Sequence, residues 1–293
     1  MIAVAKQRRD PEEEAMGNGG PVRRRHLLRE LKRLRGAVGL SQDEVSSQMG
    51  WDRGKIHRLE GGRLQRIKAS DVIALCRLYQ VTEEETENLA EIARESRQKS
   101  WWYRYKNVFA GPFIGLEAEA SAIYEYSASI VPGLLQTEDY MVALMESSAG
   151  LISTQDEKSK RVEARLERQR SLMERTDPAR LWMIIDEAAL RRQVGGTDVM
   201  RRQIAHLVDV NQRPNIDLQV LPFDAGAHAA AGFQFSILVF SETDSIVYIE
   251  ADQDGLYLEE EEQIARYRLV FDRLQASAIS VERTNGLLAS LTS

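Results

Sequence analysis

Between Leu40 and Gly62 the chain reads LSQDEVSSQMGWDRGKIHRLEGG, two short helical patterns broken at Gly50. Ser41 opens the first, with Glu44 three residues on, so hydroxyl and carboxylate can each satisfy a backbone N–H at the helix start. Gly50 supplies a turn that needs positive φ, which costs a residue without Cβ little. Asp52 is placed to cap the second pattern, and Gly61-Gly62 to stop it. Val45, Met49, Ile56 and Leu59 fall where the two helices must pack on each other. The outward face of the second helix is left with Arg53, Gly54, Lys55, His57 and Arg58. That division suits groove reading: side chains near the start of a helix in the major groove reach base edges, while flanking groups fix register on phosphates. Arginine suits guanine because its fork bonds O6 and N7 together.

The spacing LSQ-x-x-(apolar)-x-x-x-(apolar)-G, continuing into I-x-R-x-E-x-G, resembles the helix-turn-helix of the lambda-repressor-like (XRE) family. Ser41, Gln42, Gly50, Ile56, Arg58, Glu60 and Gly62 fall in place. The resemblance implies that Gln42 anchors a phosphate and braces the reading residues. It implies that Arg53, Gly54, Lys55 and Arg58 lie against bases or backbone of double-stranded DNA, and that Arg63 and Arg66 touch phosphate. His57 shares the same face, as a DNA contact or as a solvated helix residue, and Glu60 reads as structural. The family usually has Ser or Thr where this chain has Asp52; that carboxylate can still cap, but it places negative charge near phosphates.

Outward from this motif, Leu27, Leu28, Leu31, Leu34 and Val38 repeat at three and four. They predict a helix over 22–38, with Arg23, Arg24, Arg25, Arg29, Lys32, Arg33 and Arg35 on its other face. An apolar segment at 69–79 and a capped segment from Thr82 to about Arg97 complete five short helices. Residues 1–21, with an EEE run and GNGGP, lack periodicity and read as a flexible tail. The expectation is an all-α, five-helix, lambda-repressor-like domain over 22–97, followed by a second domain over 98–293.

Charge follows the same division. The 293 residues carry a net charge of −6, but residues 1–68 hold sixteen Lys/Arg against nine Asp/Glu, a balance of +7, which leaves −13 for 69–293. A positive end attracts phosphates while the acidic remainder keeps the chain dispersed. Hydrophobic residues at 43% and charged residues at 29% fit a globular protein. No apolar run has the length of a membrane span, and the first residues lack the pattern of a secretory signal, so the expected compartment is the cytoplasm, with no membrane partner. The lone Cys76 leaves no internal disulfide framework and no cysteine-cluster metal site.

Beyond Trp101-Trp102, which reads as packing at the domain junction, helical patterns are predicted at 116–129, 137–147, 155–175, 187–193 and 197–212, and a last helix at 259–280. Strands are predicted at Leu181–Ile185, Ile216–Leu221, Phe233–Phe240 and Ser245–Glu250. Ile216, Leu218 and Val220 alternate with polar neighbours, as in a half-buried strand. The expected second domain is α+β, with its sheet largely after residue 180.

The strings Leu116–Ala120 (LEAEA), Ile130–Tyr140 (IVPGLLQTEDY), Ile185–Arg192 (IDEAALRR), Val220–His228 (VLPFDAGAH) and Tyr257–Glu259 (YLE) resemble those of actinomycete WhiJ-like developmental regulators. That resemblance implies an antitoxin-like arrangement, in which a small protein encoded by an adjacent gene binds this domain. Read from residues alone, Pro132-Gly133 makes a turn and Thr137 caps a helix. The PFDAGAH segment joins two strands or lines a small-molecule pocket near Phe223–Phe233. No HExxH, GxSxG or Walker-type loop is present, so the sequence points to no enzyme, cofactor or metal. The expectation is a dimeric transcriptional regulator, since two reading helices must meet half-sites about one DNA turn apart. Its second domain responds to a small protein partner or, alternatively, to a small molecule.

Overall fold

The computed structural model describes residues 20–61, 64, 67–95, 104–105, 108, 112–147, 154–241, 245–250 and 255–291. The chain divides into two compact units, Met1–Tyr103 and Arg104–Ser293. Residues 1–19 of the tail, Arg63, Arg66 and Trp101-Trp102-Tyr103, all singled out above, lie outside the described residues, whereas Gly20 and Pro21, read as tail, begin the first helix.

In the first unit the described residues form five helices: α1 (Gly20–Ala37), α2 (Gln42–Met49), α3 (Arg53–Glu60), α4 (Ala69–Leu78) and α5 (Glu83–Glu95). Leu27, Leu31, Val45, Ile56, Leu59, Val72, Leu75 and Ala93 interlock in one core and are fully or almost fully buried. A shared apolar core of this kind, rather than helix propensity, holds helices of eight to eighteen residues in water. Two details of α1 differ from the periodicity. Val38 falls beyond the last helical turn, just before Gly39 takes φ +72°, and is exposed rather than buried. Arg24 and Arg35, expected on the outward face, turn inward: Arg24 donates to the Leu64 carbonyl, and Arg35 donates to Glu60 and to the Leu40 carbonyl.

The second unit is built on a six-stranded mixed sheet in the order β3-β2-β1-β4-β5-β6. Its strands are β1 (Ala122–Ser127), β2 (Arg180–Asp186), β3 (Ile216–Leu221), β4 (Phe235–Val239), β5 (Ile246–Ile249) and β6 (Leu256–Leu258). β1, β2 and β3 run parallel, so helices must carry the chain back between them. A short α6 (Phe113–Glu119) leads into β1. From β1 the chain returns through α7 (Glu138–Ser147) and α8 (Gln155–Met173), and from β2 through α9 (Glu187–Arg191) and α10 (Thr197–Val210). β4, β5 and β6 continue antiparallel, and α11 (Glu261–Ser277) and α12 (Val281–Leu291) close the chain. Tyr126, Ile184, Leu221, Phe235, Ile237 and Val247 share one sheet face and pack on Ile264, Phe271 and Leu274 of α11.

Three expectations are corrected. The helix predicted over 116–129 ends at Glu119, and Ala122–Ser127 is instead a strand in the interior of the sheet, paired with β2 on one side and β4 on the other. The sheet thus gains one strand before residue 180, while its other five strands follow from Arg180 on, as expected. β3 is not half-buried: Gln219 is buried, accepts from the Trp182 indole at 2.8 Å and donates to the Ile279 carbonyl at 3.0 Å. Its edge is covered as well, since the Val220 N–H meets Thr284 Oγ1 and the Val220 carbonyl accepts from Ile279 N–H. The Gln219 amide is thus satisfied inside the fold rather than by water. Last, α11 is followed by a further helix, α12, started where the Ser280 hydroxyl accepts from Arg283 N–H.

The turn at 130–137 forms as read. Gly133–Leu135 is a short 3-10 turn, and the Thr137 hydroxyl accepts from Tyr140 N–H at 3.4 Å. Gln203 of α10 fixes it from beneath, accepting from Thr137 N–H and donating to the Leu135 carbonyl. In the connection after β3, Gly226 takes φ +68°, and His228 Nε2 stands 3.4 Å from the Tyr126 hydroxyl, which donates to Asp186 at 3.2 Å.

Candidate nucleic-acid interface

The hairpin α2–turn–α3 is set by its caps. The Ser41 hydroxyl accepts from Glu44 N–H, and the Glu44 carboxylate accepts in return from Ser41 N–H at 2.8 Å, a complete capping box. Gly50 ends α2 with φ +62°, the left-handed conformation that its missing Cβ makes cheap. Asp52 Oδ1 accepts from Gly54 N–H at 2.9 Å and starts α3. Val45, Ile56 and Leu59 have no solvent exposure, and Met49 packs against the same cluster. Burying that stripe fixes which side of α3 faces water.

The orientation of the hairpin is locked by one carboxylate. Glu60, at the end of α3, has a side chain only 3% exposed. It accepts from Arg35 Nε at 2.6 Å and Nη2 at 2.9 Å, and from Gln42 Nε2 at 2.7 Å. Three helices, α1, α2 and α3, therefore meet at Glu60. A bidentate guanidinium fork adds direction to charge, so the contact constrains angle as well as distance. Gln42, expected to anchor phosphate and brace the reading residues, is held half-buried in this brace.

The remaining site residues divide by how tightly the fold holds them. Arg53 and His57 are exposed, and neither has a side-chain partner among the described residues. Arg58 is exposed but engaged: its Nη2 donates to Asp52 Oδ2 at 2.8 Å. The Arg58 guanidinium, and then the Gly54 N–H, hold the Asp52 carboxyl below its usual range, so it remains charged at neutral pH. Gly54 stands beneath this pair, where an added Cβ would meet the Arg58 guanidinium at 2.4 Å. Lys55 is half-buried, with its ammonium 3.1 Å from Asp71 and 3.6 Å from the centroid of the Trp51 ring. Arg53, His57 and Arg58 thus share the solvent side of α3, whereas Lys55 leans toward α4 and Gln42 is turned to the α1–α3 brace. Arg63 and Arg66 lie outside the described residues.

The support from Arg35, Trp51 and Asp71 was not singled out from the sequence. Arg35 sits in a run of basic residues that reads as a solvated face, and only the Glu60 pairing distinguishes it. Asp71 and Trp51 come from elements on either side of α3, which a single-motif reading does not connect.

Among the described residues no helix is long and apolar enough to cross a membrane, and no group of three or more His, Cys, Asp or Glu side chains is placed to hold a metal ion. Residues 26–89, which span the core-forming part of α1 through most of α5, match the family model described as a helix-turn-helix domain. That match supports a DNA-binding transcriptional regulator with its reading element at this end. No curated protein and no solved structure matches the chain. A second family model, described as a domain of unknown function (DUF5753), matches residues 111–290, more than half of the chain, and the protein belongs to that family.

Proposed function

We propose that this protein is a sequence-specific transcriptional regulator that inserts α3 into the major groove as a dimer. One observation carries the reading: α3 buries Ile56 and Leu59 completely while holding Arg53, His57 and Arg58 on its solvent side. In this reading Arg53 reaches a base edge directly, and Arg58 does so after exchanging Asp52 for guanine. His57 contacts base or backbone beside them. Gln42 and Lys55 position the helix against phosphates, Gly54 allows close approach of the backbone, and Arg63 and Arg66 add phosphate contacts. Two copies place two such helices on half-sites about one DNA turn apart.

The second unit is proposed to control this activity rather than to catalyse a reaction, by binding a small protein encoded beside it in an antitoxin-like pairing, as in WhiJ-like regulators. Support comes from the acidic balance of residues 104–293, nineteen Lys/Arg against twenty-nine Asp/Glu for a net −10, which gives a basic partner a surface to recognise. Selection of bound sequences from a random duplex pool tests the DNA reading: recovery of a two-fold related motif is expected, and recovery of unenriched sequence would contradict it. Co-expression with the neighbouring small protein tests the pairing. Co-purification with the full-length chain supports it, and no association at micromolar concentration counts against it.

A further inference from the structure

The two exposed arginines of α3 are held differently. Arg53 has no side-chain partner among the described residues, whereas Arg58 reaches back from the last turn of the helix to the capping carboxylate, its Nη2 donating to Asp52 Oδ2 at 2.8 Å. Helical side chains lean toward the N-terminus, so the guanidinium passes over the residue one turn earlier on the same face, which is Gly54. A Cβ at Gly54 would overlap Arg58 Nη1, and would stand 3.4 Å from its Cζ and 3.2 Å from Asp52 Oδ1. The missing side chain is what lets the pair form across the start of the helix.

Asp52 cannot follow the guanidinium if it moves. Its Oδ1 accepts from Gly54 N–H at 2.9 Å, and that bond starts α3. Oδ2 is held at the helix start as a second acceptor, with Arg58 as its partner. Both side chains are open to a ligand, Arg58 at 46% and Asp52 at 62% exposure. An exposed ion pair adds little to stability, so holding the fold does not account for this one. Nor does capping, since a hydroxyl caps as well and would not repel phosphate.

Given α3 as the major-groove helix, on which this rests, we propose that Asp52 is a base-reading residue and that Asp52 and Arg58 together recognise one G·C base pair, Arg58 through guanine O6 and N7 and Asp52 through the N4 amino group of the paired cytosine. The match is one of spacing and polarity. Guanine O6 and cytosine N4 lie a hydrogen bond apart, about 2.9 Å. Arg58 Nη2 and Asp52 Oδ2 stand 2.8 Å apart, with donor and acceptor in the complementary order. Arg58 turns its planar fork from Oδ2 to guanine, and Oδ2 takes the cytosine amino hydrogen in exchange. No other base serves Asp52. Thymine presents O4 and a methyl group, guanine presents two acceptors, and the adenine amino group is flanked by N7, which repels a carboxylate. At such positions the opened pair leaves Asp52 without a donor, so the carboxylate penalises the wrong base as well as rewarding the right one.

Selection from a random duplex pool, run with the full-length wild type and with Asp52→Asn, tests this. Asparagine caps as well as aspartate, so the variant should melt with the wild type while presenting an amide where the carboxylate was. The wild type is expected to fix a G·C pair in each half-site. Asp52→Asn should lose on the order of tenfold of the preference at that pair and keep the rest of the motif. Cytosine in each selected G·C pair is then replaced in turn by N4-methylcytosine, whose methyl group takes the place of the groove-facing amino hydrogen. At one position per half-site this should weaken the wild type on the order of tenfold and leave Asp52→Asn nearly unaffected. At the same pair 7-deazaguanine, which lacks N7, should weaken both. Identical motifs for the two proteins, or no position at which N4-methylation weakens the wild type more than Asp52→Asn, would overturn the role of Asp52 and leave α3 as the reading helix. A wild type that enriches no motif would remove both.

Discussion

Glu60→Ala should cost the DNA-binding unit most of its stability, because one carboxylate serves three helices. Its removal strands Arg35, whose side chain is 16% exposed, with only the Leu40 carbonyl at 2.7 Å, and leaves Gln42 without its acceptor. Removing one partner of a buried ion pair costs about 3–5 kcal/mol. Arg35 keeps its carbonyl contact and some access to water, so the lower end, ~3 kcal/mol, is the figure expected for this site. For a helical domain of this size that corresponds to a fall in Tm of roughly 12–24 °C. Scanning calorimetry of the full-length chain, with hydrogen exchange across residues 42–60 to assign the transition, would measure it. Replacing Arg35 by Met in the Glu60→Ala background should return at least half of the loss, since the stranded charge is then gone. A loss below about 1 kcal/mol, or no recovery in the double variant, would refute the claim that Glu60 is a buried brace rather than a solvated surface pair.

Other consequences follow from the same geometry. Asp52→Ser keeps a capping oxygen but releases Arg58, so binding to unrelated duplex should tighten and the log–log salt slope steepen by about one; an unchanged slope in anisotropy titrations would show that Arg58 is already free. Gly50→Ala meets no atom within 4 Å of the new Cβ, so its cost is the left-handed backbone alone, about 1–2 kcal/mol in a urea titration. For Glu125 the folded-state pKa of about 8 lies above the ordinary 4.5, so the acid is protonated when folded and ionised when unfolded between those values. Wild-type stability should therefore fall as pH rises from about 4.5 to about 8. Glu125→Gln should lose this decline, and parallel curves for the two proteins would exclude a buried acid at this position.

The DNA-binding unit was legible in the sequence because its signals are local. Ser41 with Glu44, Gly50 and Asp52 each act within a few residues of themselves, and the apolar repeat of Leu27, Leu28, Leu31 and Leu34 survives intact in the core. The second unit was less legible because its organisation depends on partners far away in the chain. Ala122–Ser127 lies inside the run 116–129 that reads as one helix; only pairing with β2 and β4 makes it a strand. Gln219 looked solvent-facing because alternation identifies the two sides of a strand, not whether the polar side is covered. On α3 the exposed set was readable, but the Asp52–Arg58 pairing, which engages a residue proposed to read DNA, required the geometry.

The most direct test is fluorescence anisotropy with the duplex upstream of the protein's own gene and a scrambled duplex, across a salt series, for wild type and for Arg53→Ala/Arg58→Ala. The expected result is preference by the wild type for the first duplex, a salt slope of around −4 to −5 from about five phosphate contacts, and loss of the preference in the double variant with weaker residual binding. Retained preference in a folded double variant, or wild-type binding indifferent to salt, would contradict the assignment of α3 as the reading helix.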